Sequence, residues 1–251
     1  MKQFKEIFLG IVIILAFGWI ITFIYKQESA KSNKELARRV AELSPRRGPP
    51  ETIDGLRQVI ALYEDQVERN VREGAQTGVY WKILATRLTD GSRPQYNAAL
   101  DALERAIYYN NDDPVLFYLT GVSAANVAKS KVGFSGNAQR EAEQYYKLSE
   151  NGYLRALELD ITYTKAMYGL AILYVYELER PGDAIVYLER ILQIEPSNIQ
   201  AMFVLATAHY LTENFNQAIE VYDRIITRTR NKKEREEAEL NRDIIMGLIY
   251  G

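Results

Sequence analysis

The chain of 251 residues has no cysteine, which excludes a disulfide framework, a thiol nucleophile and any cysteine-ligated metal. It has one histidine, His209, so a histidine-rich metal site is excluded too. An excess of one charge is also missing. Lysine and arginine number 31 against 33 acidic residues, a formal net charge of -2, which leaves no electrostatic footprint for nucleic acid. The phosphate-cradling patterns GxxxxGK[ST] and GxGxxG, the zinc motif HExxH and the EF-hand ligand series do not occur. Acidic pairs such as Asp112 and Asp113 suit helix starts, where carboxylates meet free amides and the positive end of the dipole. No catalytic, cofactor or metal site is therefore expected, and an enzyme would need a convergence of polar groups that the sequence does not show.

What is present is apolar residues, 47% of the chain, enough for a sizeable core. After a tail of residues 1–6, Ile7 to Tyr25 runs 19 residues without a charge. That is about the ~20 apolar residues that cross a bilayer, and it reads as a single transmembrane anchor, with Trp19 and Tyr25 toward its second end. A cleaved signal peptide fits less well, because Glu28 stands where a cleavage site wants a small residue. The lysines and arginines that follow the span favour a cytoplasmic body. A short basic start running straight into an apolar stretch resembles instead a bacterial inner-membrane signal anchor, which exports the body. Both orientations stay open, with export the working choice. Residues 26–50 form a charged stalk, Glu28 to Leu43, and a linker, SPRRGPP, in which Pro45, Pro49 and Pro50 break any helix.

From residue 51 onward helical periodicity dominates. Two segments are near-copies. Met167, Leu170, Ala171 and Tyr174 are followed by Ala184, Leu188, Ile191 and Pro196; Met202, Leu205, Ala206 and His209 are followed by Ala218, Tyr222 and Ile225. The units begin at Thr164 and Ile199, a period of 35 residues, which signals a stack of helical hairpins sharing one core. The pattern resembles the tetratricopeptide repeat, a helix-turn-helix in which small residues let paired helices approach and large ones fill the space between hairpins. Two irregular units precede these. Trp81, Leu84, Ala85, Leu88, Ala99, Leu103 and Ala106 mark one; Phe117, Gly121, Ala124, Tyr153 and Ala156 mark the other, which exceeds the family pattern by 16 residues.

The resemblance implies an all-α fold, an α-solenoid of residues 51–251 behind the anchor at 7–25. Its expected parts are a capping helix at 51–73, repeats at about 78–113, 114–163 with an insertion at 129–146, 164–198 and 199–232, and a closing helix at 233–251 packed through Ile244, Ile245, Leu248 and Ile249. The insertion is expected to carry a loop, Lys129 to Asn137, whose Phe134 is a candidate partner contact. Most tyrosines are expected in the core, and His209 in the core or the groove. The resemblance further implies that first-helix residues line a concave groove. Lys82, Tyr118, Asn126, Lys165, Tyr168, Tyr176, Phe203 and Tyr210 are the candidates. Aromatic rings with a few polar groups suit an extended peptide or a helix of a partner protein. Thr86, Leu119 and Gly169 stand where chaperone adaptors of the family need polar or basic groups, which argues against a carboxylate clamp. The expected function is a non-catalytic membrane-anchored scaffold for other proteins, serving assembly of an envelope complex; a homo-oligomeric scaffold is the alternative.

Overall fold

A computed structural model describes residues 52–132 and 136–250. Among the described residues every regular element is helical. In chain order they are α1 (Ile53–Asp90), α2 (Tyr96–Tyr109), α3 (Pro114–Lys131), α4 (Gly136–Leu159), α5 (Thr164–Ile172), a π-helical turn (Leu173–Glu177), α6 (Pro181–Ile194), α7 (Ile199–Leu211), α8 (Phe215–Arg228) and α9 (Lys232–Tyr250). The tail, anchor, stalk and linker expected before residue 51 lie outside the described residues, as does Phe134. No helix among the described residues is long and apolar enough to cross a membrane. The chain divides into two compact units, residues 1–72 and 73–251.

In the second unit the small residues sit where hairpins need them. Ala85, Ala99, Ala171, Ala184, Ala206 and Ala218 are all fully buried. Aliphatic Leu103, Leu116, Met167, Leu170, Leu188, Ile191, Met202 and Ile225 fill the space around them. Local chemistry sets the helix ends. Asp113 caps α3, its Oδ1 accepting from Val115 N at 2.9 Å just before Pro114, and Asn198 caps α7 by accepting from Ala201 N at 2.9 Å. α7 closes with Glu213 at φ 58°, so that Asn214 N donates to His209 O at 2.8 Å and Glu213 N to Tyr210 O at 3.0 Å. The preceding unit, 164–198, is one residue longer than the unit 199–232, and the extra residue is absorbed differently. Leu173–Glu177 widens into a π turn, with Leu178 N donating to Leu173 O at 3.0 Å, before Glu179 at φ 52° lets Arg180 N reach Tyr174 O at 2.8 Å.

Four expectations need correction. There is no separate capping helix at 51–73, since α1 continues unbroken to Asp90. The segment EGAQTG at 73–78 has no proline, and its glycines weaken a helix without ending it. The loop expected at Lys129 to Asn137 is shorter, since α3 runs to Lys131 and α4 starts at Gly136, and the rest of the insertion is helical. The insertion lengthens α3 to 18 residues and α4 to 24, and Lys131 joins the two through Glu141 at 2.5 Å. The closing helix buries Ala238 and Ile245 but leaves Ile244, Leu248 and Ile249 exposed together with Leu240. Residues 240, 244 and 248 repeat every four positions and so share a face away from the buried one. The tyrosines are split: Tyr146, Tyr153, Tyr174 and Tyr222 are buried, while Tyr63, Tyr80, Tyr108, Tyr109, Tyr176, Tyr210 and Tyr250 are exposed.

Candidate functional site

The first helices of successive hairpins carry the candidate groove. A cleft of about 320 Å³ brings together Tyr118 of α3 with Lys165 and Tyr168 of α5, and adds Thr164, Glu195, Asn198 and Gln200. Its aromatic wall continues inward, because the Tyr118 ring lies 5.3 Å from that of Tyr163 and 6.2 Å from that of Tyr153. Burial pushes the Tyr118 phenol up, helped by Asp90, and pushes Tyr168 up, helped by Tyr176. Burial, with Tyr118, Asp113 and Asp160, pushes Tyr163 up to about 12. The rings stay neutral at any physiological pH and offer apolar faces and hydroxyl groups.

The charges are mostly committed. Glu195 is held below the usual carboxylate range by hydrogen bonds from Thr164 and from Asn198, whose Nδ2 donates at 2.7 Å. Lys82 is not free for a ligand, because its Nζ lies 2.5 Å from Oδ2 of Asp113, the residue that caps α3. Lys165 is exposed and makes no ion pair among the described residues.

The other candidates are dispersed. Asn126 donates from Nδ2 to Val122 O at 2.8 Å, a bond to its own helix. Tyr176, 53% exposed, stands on the π turn. Phe203 is half-buried with its ring 6.3 Å from Tyr222, and Tyr210 packs 5.9 Å from Phe215. Lys82 lines a different, more apolar cleft of about 460 Å³ with Gly78, Val79, Ile83, Asn110 and Leu116. Reading the sequence missed this cleft. Its signal is Gly78: a Cβ there would sit 2.8 Å from Tyr109 Cβ, so the glycine marks a close approach. A third cleft, of about 420 Å³, lies beside His209, which is 8% exposed and whose Nδ1 has no hydrogen-bond partner among the described residues. No group of three or more histidine or acidic side chains among the described residues is placed to hold a metal ion.

Comparison with known proteins places this geometry. Residues 176–235 match the family described as tetratricopeptide repeat. That segment of the chain is identified as tetratricopeptide repeat. A TPR repeat-containing protein of Borreliella burgdorferi is 20% identical over 142 residues, which cover 57% of this chain and 60% of that protein. Two solved structures share the fold. A MamA double mutant superposes with a TM-score of 0.56 at 16% identity, covering 69% of this chain and 85% of its own. YrrB, described as a TPR protein with an unusual peptide-binding site, superposes with a TM-score of 0.54 at 14% identity, covering 74% of this chain and 82% of its own. Repeats of this family are generally non-catalytic interaction scaffolds.

Proposed function

We propose that the chain is a non-catalytic scaffold that holds a peptide or helix of a partner protein against the cleft of Tyr118, Lys165 and Tyr168. The carrying observation is that these three side chains, on two successive first helices, line one cleft whose rings are neutral and whose only acidic side chain, Glu195, is already bonded. Such a surface favours a segment with an apolar or aromatic anchor over one that presents a carboxylate to a pair of lysines. The peptide-binding site named for YrrB supports the same reading for a related fold. The proposed setting is an envelope complex, with residues 7–25 anchoring the chain in an inner membrane and the solenoid outside the cytoplasm.

A photo-reactive residue in place of Tyr168 in the full chain tests the groove. It should cross-link a discrete partner band, which Tyr118→Ala and Lys165→Ala weaken while the helical circular dichroism stays unchanged. A partner band indifferent to both changes removes the groove from the account. Protease access to a C-terminal tag, with and without permeabilised outer membrane, reads the side; a tag protected in both conditions places the solenoid inside.

A further inference from the structure

Residues 53–72 of α1 expose a line of apolar side chains. Ile53, Leu56, Ile60, Tyr63 and Val67 are between 42% and 70% exposed. Their spacing alternates three and four residues and continues to Asn70. That spacing is the a and d seam of a heptad, in which side chains stay on one line along a partner helix. β-branched Ile53, Ile60 and Val67 alternate with Leu56 and Tyr63, the arrangement that favours two parallel strands. Asn70, whose Oδ1 accepts from Gln66 Nε2 at 3.1 Å, extends the seam as a polar residue able to set register.

Off this line the segment exposes one further large apolar side chain, Val71, at 65%. The segment's charges apart from Glu64 pair within the helix: Arg57 with Asp54 at 3.3 Å, Arg69 with Asp65 at 2.7 Å and Arg72 with Glu68 at 2.7 Å. A polar face that balances its own charge lacks the lysine and arginine excess that draws an amphipathic helix onto anionic lipid. The apolar line is what remains unsatisfied, and an identical line on another copy matches it by a two-fold axis.

We propose that residues 53–72 pair with the same residues of a second copy of the chain, as a parallel, in-register two-stranded coil. Ten apolar side chains, burying on the order of 60–120 Å² each, give roughly 1,000 Å² for the pair, near the lower limit for a specific interface. The dimer therefore dissociates on dilution. It presents two grooves in one particle, so a partner carrying two binding segments is held by both.

The absence of native cysteine makes the test direct in the full chain. Val67→Cys, on the seam, should form a disulfide-linked dimer under mild oxidation. Gln58→Cys, on the opposite face, should stay at least tenfold behind. Ile60→Asp placed in the Val67→Cys background should abolish the cross-link and shift sedimentation of the purified chain to monomer, with helical content unchanged. Equal cross-linking from both faces reports random collision and overturns the proposal. So does a chain that sediments as monomer at every concentration, whose apolar line then belongs to another part of the chain or another protein. Preferred cross-linking of Ile53→Cys to Val67→Cys in a mixture would mean antiparallel helices and equally refute the parallel coil.

Discussion

In the hairpin α7/α8, helices of 13 and 14 residues carry fully buried Ala206 and Ala218. In α3/α4, helices of 18 and 24 residues meet at Gly121, Ser149 and Gly152. Alanine keeps a methyl group between backbones; the glycine pair removes it, and a Cβ on Gly152 would lie 2.8 Å from Gly121 N and 2.9 Å from Phe117 O. Ser149 then ties the helices, its Oγ donating to Gly121 O at 2.8 Å. The Tyr153 ring occupies the space left bare, so that a Cβ on Gly121 or on Gly169 would approach it to 2.7 or 2.6 Å. This longer hairpin brings its backbones together at the glycines and wedges one ring between helices. The difference in length alone would not require this; the identity of the contact residues does.

The most severe way to break this comparison is to restore a methyl group at the glycine contact. Gly152→Ala places its Cβ against backbone that cannot rotate away, and should cost about 3 kcal/mol, at the upper end for overpacking. Gly182→Ala, at the start of α6, meets its nearest atom at 3.9 Å and should change stability by less than about 1 kcal/mol, in the stabilising direction. Chemical unfolding of both variants decides it. Similar losses at the two positions would mean that the close approach in α3/α4 contributes nothing special.

The caps sharpen the comparison at a smaller scale. Asn198→Ala removes one cap from α7 and should cost about 1 kcal/mol. Asp113→Ala removes both the α3 cap and the partner of a partly buried lysine, Lys82, and should cost more, roughly 1–3 kcal/mol. A double-mutant cycle with Lys82→Met separates the two parts. If Asp113→Ala costs no more than Asn198→Ala, the ion pair is a surface contact of negligible worth.

These contrasts also mark what the sequence could show. Periodicity identified the hairpins because Ala171, Ala184, Ala206 and Ala218 stand at family positions, and burial of each side chain follows from the same spacing. The continuity of α1 was hidden because the family pattern starts a new unit at about residue 78, whereas the missing side chains of Gly74 and Gly78 answer the approach of Tyr109. The extra residue before Pro181 was countable in the sequence, but its absorption in a π turn depends on hydrogen bonds that no spacing reveals. In the groove, the family resemblance named eight first-helix residues, of which Tyr118, Lys165 and Tyr168 line one cleft. It could not foresee that Lys82 is taken by Asp113 or that Asn126 turns back on its own helix, since such commitments are made by side-chain rotamers.

The smallest effect concerns protons and again separates the hairpins. The buried titratable groups of α4 are phenols: burial raises Tyr146 and Tyr153, so they hold their protons throughout the range from acid to neutral pH. The α7/α8 hairpin holds the chain's one histidine. Burial lowers His209 below its ordinary 6.5, and Glu189 of α6 and Glu220 of α8 only partly oppose this. Arg224 of α8 lines the same cleft and adds no help to a positive imidazole. As pH falls through 6.5 the unfolded chain takes up a proton that the folded one refuses, so stability declines on acidification and is fully recovered above that value. Carboxylates elsewhere titrate alike in a His209→Gln variant and cancel in the difference. Hydrogen exchange in α7 and α8, corrected for intrinsic rates, should therefore show less protection at pH 5.5 than at pH 7.5 in the parent chain, beyond any loss in His209→Gln. Equal losses in both proteins would assign the acid sensitivity to carboxylates and leave the histidine's burial without energetic consequence.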